Sequence, residues 1–269
     1  MEPKEKVVEI RGVGKVYEPA KSGEQPIHAL EDVTIEIDRG EFFCLVGQSG
    51  CGKSTILKIV AGLLPSTVGK VVVNGTLVTR PISDVGIVFQ TPVLLQWRKV
   101  LENVMLPIEI LGLNKDEYLP KAYDLINLVG LKGFENKHPY ELSGGMQQRV
   151  SICRALIHDP PVLIMDEPFS ALDEITRDTM NVELLRIWTV ARKSVLYITH
   201  SISEAVFLGD RIAVMSPRPG RIVKVMDIDL GRPRDLRMKT SSEFMKYIDL
   251  IRDEMGLLSN TRNESSVER

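Results

Sequence analysis

The period of the hydrophobic pattern changes along the chain, and the changes mark out its elements. Residues 7–45 alternate apolar and polar positions, as in VTIEID, which predicts half-buried strands broken by the polar stretch EPAKSGEQP. FFCLV then runs into GQSGCGKST at residues 47–55, and a helical pattern follows from Lys53 to about Gly62. VGIVFQ (85–90), PVLIMDEP (161–168), SVLYITH (194–200) and RIAVMS (211–216) are short continuous apolar runs. That pattern suits strands covered on both faces in a parallel sheet. Between Gln90 and Pro160 the period becomes helical. Asn114 with Glu117 predicts a capping box, Leu119, Ala122, Tyr123, Ile126 and Val129 one buried face, and Gly130 its stop. Ser143 is expected to N-cap a helix running to about His158, with Met146, Val150, Cys153 and Ile157 as its buried stripe. The fold expected is an α/β core with an inserted helical lobe.

Composition narrows the class. The 269 residues are 43% hydrophobic and 26% charged, enough for a large core and against global disorder. A net charge of −2 does not favour a nucleic-acid-binding surface. The start, MEPKEKVVEI, has no apolar core of a signal peptide, and no run approaches the roughly 18 apolar residues of a spanning helix. Any link to a membrane is therefore expected through a partner. Cys44, Cys51 and Cys153 are scattered without metal-ligand spacing, which reads as reduced thiols. No internal repeat or low-complexity tract is present.

Two stretches can grip an anion. In GQSGCGKST, Gly47, Gly50 and Gly52 let the backbone approach a phosphate, Lys53 supplies a point charge, and the Ser54 hydroxyl suits Mg²⁺. Ser54 and Thr55 place N–H groups at a helix N-terminus, where the dipole favours negative charge. Asp166 and Glu167 end a hydrophobic strand. At the C-terminal edge of a sheet, Asp166 can hold hydrated Mg²⁺ while Glu167 serves as general base toward water. His200 ends the next buried run, from where it can reach a γ-phosphate. LSGGMQQR at residues 142–149 makes the second anion site, from the Ser143 hydroxyl and the N–H groups of Gly144 and Gly145.

With these residues in hand, the chain resembles the ATP-binding subunits of ABC transporters over roughly residues 7–220. GQSGCGKST is similar to the Walker A loop, comprising Gly47, Gln48, Ser49, Gly50, Cys51, Gly52, Lys53, Ser54 and Thr55. VLIMDE is similar to the Walker B strand, LSGGMQQR to the family signature, and Ser170, Ala171, Leu172 and Asp173 to the D-loop. Gln90 takes the place of the Q-loop glutamine, His200 that of the switch histidine, and Tyr17 that of the aromatic stacked on adenine. The resemblance implies a P-loop NTPase (RecA-like) core, an N-terminal antiparallel β subdomain and a helical subdomain at about 91–158. Residues 221–269 form a C-terminal tail. It also implies ATP and Mg²⁺ as ligands, with Ser54, Gln90 and Asp166 near the metal, partly through water.

In that family two subunits pair head to tail, so the resemblance implies that Ser143 of each faces the triphosphate on Lys53 of the other. Met146 replaces a glutamine common after the signature glycines, and Ser201 follows the histidine where aspartate is usual. Neither change removes a catalytic group. TPVLLQWRKVLENVMLPIEI follows Gln90, and Trp97 there is either a surface anchor or part of the contact with a membrane permease; the second is favoured. LLQW, the signature and the tail together resemble importers of nitrate, sulfonate and taurine. The tail itself reads as a basic linker and one amphipathic helix with Phe244, Met245, Ile248, Ile251 and Met255 on its apolar face. The resemblance places the subunit on the cytoplasmic face of the cell membrane, working with permease subunits and, indirectly, an external solute-binding protein. A soluble cassette ATPase acting on DNA or ribosomes, and a P-loop kinase, are the competing readings.

Overall fold

The computed structural model describes residues 5–19 and 25–256; the middle of the polar stretch at 18–26 and the end of the tail lie outside them. In chain order the elements are β1 (Lys6–Tyr17), β2 (Ile27–Asp38), β3 (Phe42–Val46), α1 (Lys53–Val60), β4 (Val68–Val73) and β5 (Thr76–Leu77). Next come β6 (Val85–Val88), α2 (Val100–Ile110), α3 (Lys115–Leu128), α4 (Gly144–Leu156), β7 (Val162–Asp166) and α5 (Glu174–Ala191). The chain ends with β8 (Ser194–Thr199), α6 (Ile202–Leu208), β9 (Arg211–Met215), β10 (Ile222–Asp227) and α7 (Ser242–Glu254). Residues up to Ile82 and from Ser194 onward form one compact unit; Ser83–Lys193 form a second.

In the first unit, β2, β1, β4 and β5 make an antiparallel sheet whose alternation matches the amphipathic pattern of residues 7–38. β3 lies parallel to both β8 and β9, and β10 closes the β9 edge antiparallel. β3 and β8 are buried at every residue, as their unbroken apolar runs require. α7 packs on α6 and buries Phe244, Ile248 and Ile251, while Met245 stays exposed and Met255 half-buried. Arg234 departs from the linker reading of the tail. It is buried, and its guanidinium donates to the carbonyls of Val206, Phe207 and Gly209 at 2.8–3.1 Å. A basic side chain here caps the C-terminal end of α6, where the helix leaves its last carbonyls unpaired.

The second unit holds the parallel pair β6–β7 with α2 to α5. α3 differs from its predicted face. Ala122, Leu125, Ile126 and Val129 are buried, but Leu119 and Tyr123 remain 38% and 46% exposed. The predicted capping box is half made: Asn114 Oδ1 accepts from the Asp116 N–H, whereas Glu117 accepts from the Asn114 side-chain amide, not its backbone. In α4, Val150, Cys153 and Ile157 are buried and Met146 only half so.

Cys44, Cys51 and Cys153 are buried and form no disulfide, and burial pushes the thiols of Cys44 and Cys153 up. A protonated, shielded thiol is a poor nucleophile. Iodoacetamide labelling followed by mass spectrometry should show the three reacting together, only as the chain unfolds in denaturant. Rapid labelling of any one of them in the native protein contradicts this burial.

Candidate functional site

In the first unit the glycine loop leads from β3 into α1. Gly50 and Gly52 have φ of +77° and +111°, a region that L side chains rarely enter. Gly47 also has a packing reason to be small. A Cβ there would stand 2.8 Å from Cys51 Sγ and 3.0 Å from Met215 Cβ, so its small size serves packing inside the loop. The buried Lys53 ammonium donates to the carbonyls of Gly47 and Gln48 at 2.9 and 3.0 Å, which fixes the charge at the centre of the turn. Gly52, the N-cap of α1, has no side chain with which to cap the helix. Tyr17, at the end of β1, brings its hydroxyl to 3.4 Å from Thr55 Oγ1, and the Lys15 ammonium lies 5.3 Å from its ring centroid. His200 is exposed at the C-terminal end of β8.

The turn between β9 and β10, SPRPGR, braces this loop, and sequence reasoning missed it. Arg218 Nη2 donates to the Gly50 carbonyl at 3.1 Å. Gly220 donates to the Ala29 carbonyl and accepts from the Glu31 N–H, each at 3.0 Å, and so ties the turn to β2. A Cβ on Gly220 would stand 2.1 Å from the Cys51 carbonyl oxygen. The Pro-Arg-Pro-Gly run was the available signal, since such a string marks a rigid turn.

In the second unit Asp166 closes β7, and Glu167 follows with φ of 44°. A left-handed conformation costs a non-glycine residue on the order of 1–2 kcal/mol, and such strain persists where surrounding bonds impose it. Here the bonds run through Ser170. Gln90 Nε2 donates to Ser170 Oγ at 2.9 Å, and that hydroxyl donates to the Glu167 carbonyl at 3.0 Å. The loop carrying Gln90 is strapped from α4, a link invisible in the sequence. Gln148 donates to the Phe89 carbonyl at 3.0 Å, and Arg154 to those of Pro92 and Val93 at 2.8 Å. Trp97, farther along this loop, is 74% exposed.

Ser143 N-caps α4 by accepting from the Met146 N–H at 3.3 Å. Capping uses a lone pair, so the hydroxyl proton remains for an anion. Gly144 and Gly145 occupy the first helical positions, whose N–H groups have no acceptor within the helix. These residues line a cavity of about 350 Å³ with Arg149, Leu172 and Asp173. Asp173 N-caps α5 through Thr176, and that backbone N–H holds its carboxyl below the usual range. Ala171, two residues before Asp173, is exposed.

Comparison with known proteins decides the family. The ABC transporter family profile matches residues 30–170. The taurine import ATP-binding protein of Rhizobium johnstonii is 45% identical over 242 residues, covering 88% of this chain and 92% of its own. This chain belongs to the ABC transporter family. The bicarbonate transport ATP-binding protein of Synechocystis is 46% identical, across 84% of this chain and 80% of its own. A solved ATP-binding cassette, dimeric in a post-hydrolysis state with ADP and Pi, matches with a TM-score of 0.70 at 32% identity, over 83% of this chain and 100% of that one. The cassette is accordingly a P-loop NTPase that binds and hydrolyses ATP with Mg²⁺ as partner ion.

A methyl group on Gly220 tests the brace. Gly220→Ala should lower stability by about 1–3 kcal/mol, as overpacking against backbone does, and weaken ATP binding. Thermal unfolding and nucleotide titration would show both effects; wild-type values in both would remove the turn from any part in the site.

Proposed function

We propose that the cassette works as a head-to-tail pair of identical copies on the cytoplasmic face of a membrane, powering import of a small nitrate-, sulfonate- or taurine-like solute through permease subunits. The observation that carries the pairing is the cavity at the start of α4. It gathers Ser143, Gly144 and Gly145 with D-loop residues, and none of its lining residues belongs to the 47–55 loop. An anion-binding helix start with its own cavity supports an occupant delivered by another chain. The solute class rests on relatives named for taurine and bicarbonate, both small, the first a zwitterion with an ionised sulfonate and the second an anion at neutral pH. Among the described residues no helix is long and apolar enough to cross a membrane, which supports a permease partner for transport.

Each residue then has a task. The Tyr17 ring stacks on adenine, and residues Gly47 to Thr55 hold the phosphates. The Ser54 hydroxyl, the Asp166 carboxylate and the Gln90 side-chain carbonyl are hard oxygen donors of the kind Mg²⁺ prefers. No group of three or more His, Cys, Asp or Glu among the described residues forms a protein-only metal cage. That fits an ion completed by phosphate and water. Held by Ser54, Gln90 and Asp166, the ion would supply positive charge to offset that developing on the phosphoryl oxygens. Glu167 takes the proton of the attacking water, and His200 hydrogen-bonds the γ-phosphate. Ser143, Gly144 and Gly145 grip the γ-phosphate on the partner copy, beside the D-loop of Ser170, Ala171, Leu172 and Asp173.

Charge-assisted hydrogen bonds of about 1.5–3 kcal/mol each, three per site, offer roughly 9–18 kcal/mol gross over two sites. Switching a pair from mostly open to mostly closed takes about 5.5 kcal/mol. ATP binding therefore has the means to close the dimer even after large ordering losses, and hydrolysis removes the contact.

Glu167→Gln should retain ATP binding, lose turnover by at least about a hundredfold, and give a long-lived dimer with ATP and Mg²⁺ by size-exclusion chromatography. Normal turnover would remove Glu167 as the base. Trp97→Glu should leave the isolated chain's ATPase activity within about twofold while abolishing co-purification with its membrane partners, since buried aromatic anchors dominate interfaces. Unchanged co-purification would take Trp97 out of that contact.

A further inference from the structure

His200 stands between residues whose side chains are tied to each other. The buried Thr199, last residue of β8, donates its hydroxyl to Glu204 Oε2 at 2.6 Å and accepts from the Ser201 N–H at 2.9 Å. Ser201 Oγ in turn accepts from the Glu204 N–H at 3.3 Å and caps α6. The bond from the Ser201 N–H to the Thr199 side chain closes a ring that contains the whole His200 backbone. Its geometry depends on the rotamer of the Thr199 hydroxyl, and the short, charge-assisted bond to Glu204 sets that rotamer. Glu204 is itself 5% exposed, and a carboxylate that deep persists only where it is engaged.

The helix carrying Glu204 is held at its other end too. Arg234 from the tail caps its final carbonyls, and Arg232 donates to the Leu208 carbonyl and to Asp210, both at 2.7 Å. Burial draws the Arg234 guanidinium down to about 10, which leaves it charged at neutral pH. Glu204 therefore sits on a helix fixed at both ends, with no hinge between its carboxylate and the His200 turn.

We propose that Glu204, acting through Thr199, is a positioning residue for His200, setting the direction from which the imidazole meets the γ-phosphate. The proposal rests on the reading of His200 given above. A catalytic side chain must stay within about 0.5 Å and 10–20° of its productive geometry, and a 1 Å error costs on the order of a hundredfold. A loosened turn therefore lowers kcat and leaves ATP affinity alone, because the loop that binds ATP is untouched.

Steady-state ATPase measurements on the full chain, as a double-mutant cycle, test this. Thr199→Val keeps the shape and removes the hydroxyl; it should lower kcat about tenfold with the KM for ATP within about twofold, and Thr199→Ser should restore activity. On a His200→Ala background, adding Thr199→Val should change nothing further, because the group it positions is gone. A further tenfold loss on that background, or a loss expressed in KM, overturns the proposal. Normal turnover by His200→Ala alone overturns the underlying reading of His200 instead. If Thr199→Val does not fold, Glu204→Gln carries the test, since it keeps the shape and one acceptor oxygen. It should cut kcat about threefold when His200 is present and not otherwise; equal losses in both backgrounds overturn the proposal.

Discussion

The first turn of a helix exposes backbone N–H groups that the helix cannot pair, and the cassette is arranged around two such turns. α1 begins at Gly52, which has no side chain to cap it. α4 begins at Ser143, whose cap consumes a lone pair and leaves the hydroxyl proton. Both starts offer donors to an anion, and the loops that lead into them must be held in place. In the proposed pair, these donors would grip one triphosphate from two directions.

The holding is done largely by long side chains donating to backbone carbonyls. Lys53 pins Gly47 and Gln48, Arg218 pins Gly50, and Gln147 pins Pro139 and Leu142 ahead of α4, while Gln148 and Arg154 do the same for Phe89, Pro92 and Val93 in the loop that carries Gln90. Fixing a carbonyl fixes its whole peptide plane, and with it the direction of the adjoining N–H. Burial contributes in part: Arg154 is half-buried, and desolvation lowers its guanidinium from the usual range. The same device recurs away from the loops, where Arg234 anchors the tail on α6.

Much of this was legible from the chain alone. The buried strands β3, β7 and β8 write themselves as unbroken apolar runs, and the phosphate loop lies between strand and helix as its chemistry demands. What escaped depends on distance in sequence. Arg218 meets a residue 168 positions away, and Gln148 one 59 away, and no local period records either. The apolar face of α3 was misdrawn because Leu119 and Tyr123 fit a 3.6-residue repeat as well as Leu125 does, and only the neighbouring helices choose between them. Arg234 was taken for linker because a cation suggests solvent, whereas here a helix end supplies the acceptors.

Shared catalysis between copies is best tested by complementation. Lys53→Ala removes the phosphate-binding charge from one copy, and Ser143→Arg blocks the anion-binding helix start of another. Neither variant alone should hydrolyse ATP. A mixed dimer contains one centre built from the intact Lys53 of one chain and the intact Ser143 of the other, so ATPase activity should return on mixing. Mixed dimers that stay inactive, or a Ser143→Arg chain with full activity by itself, would contradict a catalytic centre made by two chains.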